Sequence, residues 1–526
     1  MAITTRTILI STLALSSGAA IAGEHGESYS TCGTEAHAQP RQLLGAGIYP
    51  VDSLEYRLTP SQIEALNEPQ KDLLKYFESK VFEGEMAPHV CMHPDTDPEV
   101  AQAFEQFLND MWFENTPNAF ILSTRWTLTA TNGSGLTQGD PTTLTYSVIP
   151  DGTNITGEGA SNLISFLNTR IGSGTWPGLM QTALDAWGNV SGLTYVLEPT
   201  DTGSTMSNPG PAGVLGVRGD VRIGGQFIDG NSGVLAYNRF PNSGDMVIDT
   251  GDGAFYGSSS GNYIRFRNVL THEAGHGIGL SHVESDSDRF LMEPFIDTSF
   301  TGPQMDDIRG AQRGYGDIDE NNNSYAQGTD LNGLALGGTA FEGGDFKVIS
   351  FRSIDDNSDV DYYRLTTGEP VTMVVSVAPQ GGSYQFTAQG SGGGGSFFNA
   401  DAVLDLNFRV INSSGTTIAN IDNTSAGSSE FASVELPDVG DYAIIIDSNN
   451  TNNIQLYGLT VSFTTLDVPD ECPADFTGEG DLNFLDVSAF LSAFGNQEPE
   501  ADFQPDGNFN FLDVSAYLSA YGDGCP

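Results

Sequence analysis

The sequence predicts a multi-domain protein in which a mixed α/β domain precedes an all-β sandwich and a small α-helical module. Helix and strand patterns alternate over residues 119–316, which is typical of an α/β fold. Helix signals are lacking over 317–468, where short strand patterns are separated by Gly, Asn, Ser and Thr. Over 469–526 the run Asn-Phe-Leu-Asp-Val-Ser-Ala occurs twice, which indicates a duplicated unit.

The first 22 residues have the pattern of a secretory signal peptide. Arg6 precedes an apolar run over 8–15, and Ala20, Ile21 and Ala22 form a small-residue cleavage site. The apolar run is too short to favour a membrane span, and no later run reaches spanning length. We therefore expect a secreted protein that is extracellular or associated with a cell surface.

The acidic composition restricts the possible partners. The chain has 20 Lys and Arg against 68 Asp and Glu, a formal charge of −48. A nucleic-acid partner is nearly excluded because a phosphate backbone requires a basic surface, and binding to anionic lipid is disfavoured for the same reason. Two interpretations of the acidity stay open: solubility in a saline medium, and calcium binding by some of the Asp residues.

Residues 23–118 are expected to form an N-terminal pro-region. They mix polar coil with two helical runs, Thr59–Val81 and Asp97–Trp112, each with a proline in its first turn. The α/β domain over 119–316 then has strand and helix patterns in alternation. Strands are predicted at Thr142–Ile149, Thr194–Leu197, Val221–Phe227 and Met246–Ile248, and helices at Leu163–Val190, Val269–Leu280 and Gln304–Tyr315.

The segment 317–468 is predicted to be an antiparallel β-sandwich that serves as an accessory domain. Strand patterns occur at Pro370–Val377, Leu404–Val410 and Tyr442–Asp447. The runs Asp359–Tyr363 and Gly440–Tyr442 each open a strand, and they resemble the pre-peptidase C-terminal domain found in many secreted bacterial peptidases.

The tail, 469–526, combines two oxygen-rich loops with two short helical runs, Val487–Phe494 and Val514–Tyr521. Oxygen side chains at alternating positions around a Gly suit a hard cation such as Ca²⁺. The candidate calcium ligands are Asp475, Thr477, Glu479 and Asp486 in the first loop, and Asp502, Gln504, Asp506 and Asp513 in the second. This arrangement resembles a dockerin, a duplicated EF-hand-like module, with Cys472 and Cys525 expected to close it as a disulfide. Anchoring to a surface or matrix partner and a purely stabilising role both stay open.

One segment carries metal chemistry. His272 and His276 are four residues apart, so on a helix they face the same side and can hold one ion. Glu273 adjoins the first of them, where it can act as general base. Gly279 allows the helix to end sharply, and His282 can then supply a third ligand. Three protein ligands leave one position open, which is typical of a catalytic zinc.

The segment from Phe120 to Gly316 resembles the matrixins, a branch of the metzincin peptidases. The extended His-Glu-x-x-His-x-x-Gly-x-x-His motif is followed at Met292 by the residue expected on the metzincin Met-turn. The resemblance implies a mixed five-stranded sheet with three helices. It also implies a cleft-edge strand near Leu235 and Ala236 that holds an extended substrate, and a specificity-pocket wall at Pro294.

The same resemblance assigns further residues and reveals two departures. The paired Asp306 and Asp307 would brace the Met-turn and the mature N-terminus. Tyr237 and Val247 stand where matrixins have histidines that hold a structural zinc, so only one catalytic Zn²⁺ is expected. Asp249 and Asp252 match carboxylates that bind calcium in the family, although a plain surface loop is an equal alternative there.

Cys91 permits two interpretations. Residues Cys91–Asp95 keep the Cys-x-x-Pro-Asp core of the matrixin cysteine switch, in which a thiol of the pro-region occupies the open zinc position. An even number of cysteines in an exported chain favours instead a disulfide between Cys32 and Cys91. The flanking His89 and Val90 differ from the family pattern.

These observations lead to a function hypothesis and an alternative. The leading hypothesis is a secreted zinc-dependent endopeptidase that uses Zn²⁺ and Ca²⁺ and acts on proteins or peptides. The alternative is a non-catalytic adhesion or matrix-binding protein in which the metzincin domain is only a scaffold. The intact histidines together with Glu273 and Met292 favour the enzyme, since a scaffold has no need of a general base.

Overall fold

The structure is a computed structural model. It describes residues 53–82, 88–109, 122, 124–207, 210, 212–285, 289–333, 346–388, 395–449, 452–465 and 472–524. The expected signal peptide, Cys32 and Cys525 lie outside these ranges. None of the helices within them combines the length and the hydrophobicity needed to cross a bilayer.

The helices and strands follow one another as the sequence pattern suggests, with differences at several boundaries. The helices are α1 (Ser53–Arg57), α2 (Pro60–Ala65), α3 (Glu68–Phe82), α4 (Pro98–Asn109), α5 (Leu163–Arg170), α6 (Trp176–Gly188), α7 (Gly253–Tyr256), α8 (Ile264–Gly277), α9 (Met305–Tyr315), α10 (Phe484–Asn496) and α11 (Phe511–Asp523). The strands up to residue 285 are β1 (His89–Met92), β2 (Leu128–Thr129), β3 (Gly133–Ser134), β4 (Thr142–Val148), β5 (Asn154–Ile155), β6 (Gly159–Ala160), β7 (Leu193–Leu197), β8 (Val221–Gln226), β9 (Val234–Asn238), β10 (Met246–Asp249) and β11 (Val283–Ser285).

The remaining strands belong to the β-rich region. They are β12 (Thr329–Asp330), β13 (Phe346–Ile354), β14 (Asp361–Thr367), β15 (Val371–Gln380), β16 (Ser383–Ala388), β17 (Ser396–Asn399), β18 (Leu406–Asn412), β19 (Thr417–Ile421), β20 (Glu430–Leu436), β21 (Gly440–Ser448) and β22 (Gln455–Thr465).

The central sheet of the α/β domain has six strands in the order β1-β9-β10-β8-β4-β7. Strands β10, β8, β4 and β7 pair in parallel, whereas β9 is antiparallel to β10. The sheet expected from the sequence had five strands. The sixth is β1, which the N-terminal region supplies and which pairs antiparallel with the edge strand β9.

Two helices predicted as continuous are each divided in the structure. The run Thr59–Val81 is interrupted after Ala65, where Asn67 accepts a hydrogen bond from the Gln70 backbone N–H and begins a new helix. The run Leu163–Val190 is interrupted between α5 and α6 by a turn with Gly172 at a φ of +108°. Amphipathic periodicity continues across both turns, so it does not reveal them.

The two faces of the sheet are covered by different parts of the chain. One face packs on α5, α6 and α8 around Leu144, Trp187 and Leu270. The other face packs on α1, α3 and α4 of the N-terminal region, which together form a second buried cluster. Phe77 of that region meets Tyr237 of β9 edge-on at 5.2 Å between ring centroids. The N-terminal region is therefore integrated into the fold of the α/β domain rather than packed beside it.

The β-rich region contains two facing sheets, with strand orders β12-β14-β21-β18-β19 and β13-β22-β15-β20. Alternate side chains of both sheets bury one apolar cluster that includes Met373, Phe408, Ile444 and Tyr457. A separate sheet, β11-β16-β17, joins the hairpin β16–β17 to the α/β domain.

The tail places α10 and α11 around a small core. Phe490 and Tyr517 occupy equivalent positions in the two copies, and their rings stack at 3.9 Å with an interplanar angle of 5°. Cys472 is disulfide-bonded. Both helices begin three residues earlier than predicted because Asn483 and Asn510 cap them by accepting hydrogen bonds from backbone N–H groups.

Candidate metal centre

Helix α8 and the turn after it bring three histidines together. His272 and His276 lie one helical turn apart on α8, and His282 follows after the chain reverses at Gly279. Gly279 has a φ of +110°, and a Cβ there would lie 1.8 Å from the Thr124 carbonyl oxygen. Only glycine fits this turn, and the turn is what returns His282 to the helix.

The three imidazoles converge through their Nε2 atoms. The Nε2–Nε2 separations are 3.0 Å between His272 and His282, and 3.1 Å between His276 and each of the other two. On the far side of each ring, Nδ1 of His272 lies 2.6 Å from the Leu291 carbonyl and Nδ1 of His276 lies 2.7 Å from the Leu280 carbonyl. Carbonyls only accept, so Nδ1 carries the proton and both Nε2 lone pairs face the centre.

This donor set fits a zinc ion. Burial lowers the pKa of His272 to about 4 and that of His276 well below its usual value, so both rings are neutral at pH 7 and can act as ligands. Ligands at ~2.1 Å from one tetrahedral ion lie ~3.4 Å apart, close to the observed separations. Lone pairs that converge without a proton between them need a cation to be stable.

Glu273 lies beside the convergence point, with the backbone N–H of Cys91 near its carboxylate. It is fully buried, and neither carboxylate oxygen meets a hydrogen-bond partner among the described residues. Burial raises the pKa of Glu273 well above its usual range, and the backbone N–H of Cys91 opposes the shift. A buried carboxylate without partners is costly in a core but is suited to hold a reacting proton.

The Met-turn lies under the histidines and is held by α9. Met292 is 2 % exposed, and its Sδ packs so closely on α8 that a Cβ on Gly275 would lie 2.3 Å from it. The Asp307 carboxylate accepts hydrogen bonds from the N–H groups of Leu291 at 2.8 Å and Met292 at 3.1 Å. Asp307 thus holds the Met-turn, as the matrixin resemblance implies.

Asp306 has different partners from those the sequence suggested. Its carboxylate accepts from the Tyr384 hydroxyl of β16 and lies 3.3 Å from Arg309 Nη1. Both members of the ion pair are 1 % exposed. In this structure the carboxylate expected to hold a mature N-terminus is instead bound by the hairpin of the β-rich region, because that hairpin packs against α9.

Strand β1 crosses the metal centre and brings Cys91 to it. Cys91 is opposite Ala236 in the pairing with β9, and on its other side the Met92 N–H donates to the Pro294 carbonyl at 3.0 Å. The Cys91 Sγ lies within 4.8 Å of ligand atoms of His272 and Glu273. Cys91 is a free, buried thiol, so the alternative of a Cys32–Cys91 disulfide is wrong for this structure.

The residues predicted to bind substrate therefore contact β1. Ala236 pairs with Cys91, and Pro294 accepts from Met92, so both line the cleft that β1 fills. Leu235 lies at a bulge in this pairing, and its carbonyl accepts from the Tyr256 hydroxyl at 2.6 Å. His89, which the sequence analysis did not assign, packs its ring 4.6 Å from that of His282.

Asp249 and Asp252 are brought together with a third carboxylate, Asp229, which was not among the predicted ligands. Ligand oxygens of all three lie within 4.8 Å of one another in a buried site. Burial raises the pKa of Asp252 to about 7, and the Asp249 charge adds to the shift. Asp229 could have been identified from the run Ile228-Asp229-Gly230 before the edge strand. An Asp beside a Gly offers carboxylate oxygens at a turn.

A second acidic cluster, with two buried members and one half-buried member, lies where the α/β domain meets the β-rich region. Glu320, Asp355 and Asp359 bring ligand oxygens within 4.8 Å of one another. One carboxylate oxygen of each has no hydrogen-bond partner among the described residues. Burial raises the pKa of Asp359 to about 7. Sequence periodicity does not reveal this cluster. Glu320 is 35 residues from Asp355 in the sequence, and Asp355 and Asp359 lie in the loop between β13 and β14.

The tail loops close on their first and last carboxylates. Asp475 accepts from Gly478 and Glu479 backbone N–H groups, and Asp486 accepts from Thr477. In the second copy, Asp502 accepts from the N–H groups of Asp506 and Gly507, and Asp513 from that of Gln504. Within the described residues, these loops do not bring three acidic side chains within 4.8 Å of one another.

The fold and this donor set define a domain of the zinc metallopeptidase class. Residues 167–316 match the family model described as matrixin, and the chain therefore contains a matrixin domain. Matrix metalloproteinase-25 of Mus musculus is 30% identical over 155 residues, which cover 28% of this chain and 24% of that protein. Interstitial collagenase of Equus caballus is 33% identical over 142 residues, 26% of this chain and 27% of that protein.

The chain thus spans about a quarter of the length of these relatives. Among solved structures, the pre-peptidase C-terminal domain of the collagenase from Bacillus anthracis is similar, with 12% identity and a TM-score of 0.16, over 22% of this chain and 88% of that domain. Matrixins use a catalytic zinc and structural calcium, which agrees with the donor sets of the α/β domain.

Proposed function

We propose that the protein is a secreted zinc-dependent endopeptidase produced in a latent form. The single observation that carries this proposal is an extended strand, β1, paired antiparallel with the edge strand directly across three converging histidines. A cleft that holds one peptide in this way is suited to bind others, because backbone pairing recognises extended peptide irrespective of its sequence.

The chemistry follows from the residues around the centre. His272, His276 and His282 would hold the zinc, which when bound supplies a Lewis acid that polarises the scissile carbonyl and activates water. Glu273 accepts the proton of the attacking water and returns it to the leaving nitrogen. The Cys91 backbone N–H near this carboxylate belongs to β1 and would leave together with that strand.

Substrate binding would reuse the contacts that β1 makes. The edge strand offers its backbone opposite residues 89–92, and the Pro294 carbonyl accepts an N–H from the other side. A substrate held between these two walls presents one peptide carbonyl to the metal while its neighbours are fixed. This arrangement favours unfolded or locally extended protein segments over folded surfaces.

Latency would arise from Cys91. Its thiol lies next to His272 and Glu273 within a strand that occupies the cleft, so substrate cannot enter while β1 is in place. The buried thiol of Cys91 is poised for the position that a catalytic zinc leaves open. Activation then requires β1 to leave the cleft.

Calcium and the downstream regions would support the enzyme. Asp229, Asp249 and Asp252 form a buried oxygen cluster suited to a hard cation at the start of the edge strand. The tail would add calcium loops as a dockerin-like module, with a surface or matrix partner as its function.

The test uses the full-length chain after export and maturation. Cleavage of an unfolded protein substrate should be abolished by a zinc chelator and by Glu273→Ala, while Glu273→Ala still binds one zinc by metal analysis. Glu435→Ala, an exposed glutamate of the β-rich region, is the matched control and should cleave normally. Cleavage by Glu273→Ala at the wild-type rate, or wild-type cleavage that survives full zinc removal, would refute the proposal.

A further inference from the structure

The hairpin β16–β17 of the β-rich region reaches the segment that joins the third histidine to the Met-turn. β11 begins at Val283, directly after His282, and pairs antiparallel with β16, with Val283 opposite Ala388. On its other side β11 is tied to the Met-turn, since the Val283 N–H donates to the Met292 carbonyl at 3.1 Å. β11 is thus held between the Met-turn and the hairpin.

Tyr384 is the residue through which the hairpin contacts both α9 and the Met-turn loop. Its hydroxyl donates to the buried carboxylate of Asp306 and accepts from Arg309 Nη1 at 3.2 Å. Its ring meets Phe290 at 4.9 Å, almost perpendicular to it. Phe398 of the same hairpin lies 4.5 Å from the Arg309 guanidinium, which completes the enclosure of the ion pair.

These contacts converge on groups that orient the metal ligands. Asp306 adjoins Asp307, whose carboxylate fixes Leu291 and Met292, and the Leu291 carbonyl in turn lies 2.6 Å from His272 Nδ1. Partners that orient a ligand ring control how tightly the ligand holds its ion. The path from Tyr384 to His272 therefore runs through α9 and the Met-turn, without contact between Tyr384 and the histidine.

We propose that Tyr384 is a positioning residue, by which the β-rich region fixes the Met-turn and thereby the ring of His272, and so sets zinc retention. This inference rests on the proposed peptidase function and goes beyond it, because it makes the accessory region part of the metal centre. The region would then be needed for activity and not only for attachment to substrate or surface.

The test compares zinc release from full-length wild type, Tyr384→Ala, Tyr384→Phe and Phe397→Ala into a chromogenic chelator. Phe397 lies on the same hairpin but is 69% exposed, so its variant is the matched control. We expect Tyr384→Ala to release zinc about tenfold faster than wild type. Tyr384→Phe, which keeps the ring contact with Phe290, should be intermediate, and Phe397→Ala should match wild type. The visible spectrum of the cobalt-substituted protein should change in Tyr384→Ala alone among the alanine variants.

Equal zinc release and equal cobalt spectra in folded Tyr384→Ala and Phe397→Ala would overturn the proposal. If circular dichroism shows that Tyr384→Ala does not fold, Tyr384→Phe decides: faster release than wild type supports the proposal, and wild-type release overturns it. If mature wild type binds zinc but cleaves nothing, the proposed function fails, and the release rates still decide the positioning role.

Discussion

Gly275 lies in the last turn of α8, between the two histidines of the helix and against Met292. A Cβ at this position would lie 2.3 Å from Met292 Sδ and 2.8 Å from Trp187 Cζ2. Gly275→Ala should gain up to ~1 kcal/mol from helix propensity and lose ~1–3 kcal/mol from overpacking. We expect a net loss of stability of ~1–2 kcal/mol, together with displacement of the Met-turn.

Met292→Ala tests whether that contact is the cause. Removal of the buried side chain alone should cost ~2–5 kcal/mol, because it leaves a cavity. In the double variant the new methyl group enters the vacated space, so the loss should be ~1–3 kcal/mol smaller than the sum of the single losses.

The assay is denaturant unfolding of the zinc-loaded full-length protein, followed through the transition of the α/β domain. Gly178→Ala is the matched control, because Gly178 is also helical and its Cβ would meet open space. Gly178→Ala should leave the free energy of unfolding unchanged or raise it by up to ~1 kcal/mol. Strict additivity of Gly275→Ala and Met292→Ala, or no loss in Gly275→Ala, would refute the packing argument.

Three further predictions concern latency, pH and calcium. Cys91→Ala in the unprocessed chain should raise cleavage above the wild-type level, measured with a fluorogenic peptide; equal latency in both would count against the thiol. In chelator-treated protein, burial raises the folded-state pKa of Asp252 to about 7, above the pKa of this group in the unfolded chain. The folded state therefore binds the proton more tightly, and the stability that this gives at low pH is lost as pH rises from about 4 through 7. The melting temperature should fall over that range, and added Ca²⁺ should flatten the profile; a melting temperature that rises instead would contradict this. Calcium titration of the full chain should lose two sites in the double variant Asp486→Asn/Asp513→Asn, and unchanged stoichiometry would refute calcium binding by the tail.

The metal centre was predictable from the sequence because its geometry is local. His272 and His276 are related by one helical turn, and Gly279 fixes the return to His282 within three residues. Periodicity and a turn glycine are therefore enough to bring the ligands together. Five of the six strands of the central sheet, β4, β7, β8, β9 and β10, were likewise predictable from local sequence or from the matrixin resemblance.

The contacts that the sequence did not predict are those between distant segments. The motif at Cys91 indicates a thiol near the zinc but does not show that residues 89–92 pair with residues 234–238, because strand pairing depends on register and not on the composition of either strand. Gly230 after Asp229 indicates a turn, but only the fold brings Asp229 to Asp249. The sequence around Tyr384 predicts only an ordinary strand residue, and its contacts with α9 depend on the pairing of β16 with β11.

The sharing of one sheet between β1 and the strands of the α/β domain would turn the proposed activation into an association equilibrium. If the chain were cut between α4 and β4, residues 53–109 would behave as a second subunit, held by β1 and by the cluster around Phe77 and Tyr237. A tethered strand acts at an effective concentration on the order of millimolar, and this advantage is lost once the tether is cut. The latent state would then depend on protein concentration, so dilution into the medium would itself release activity.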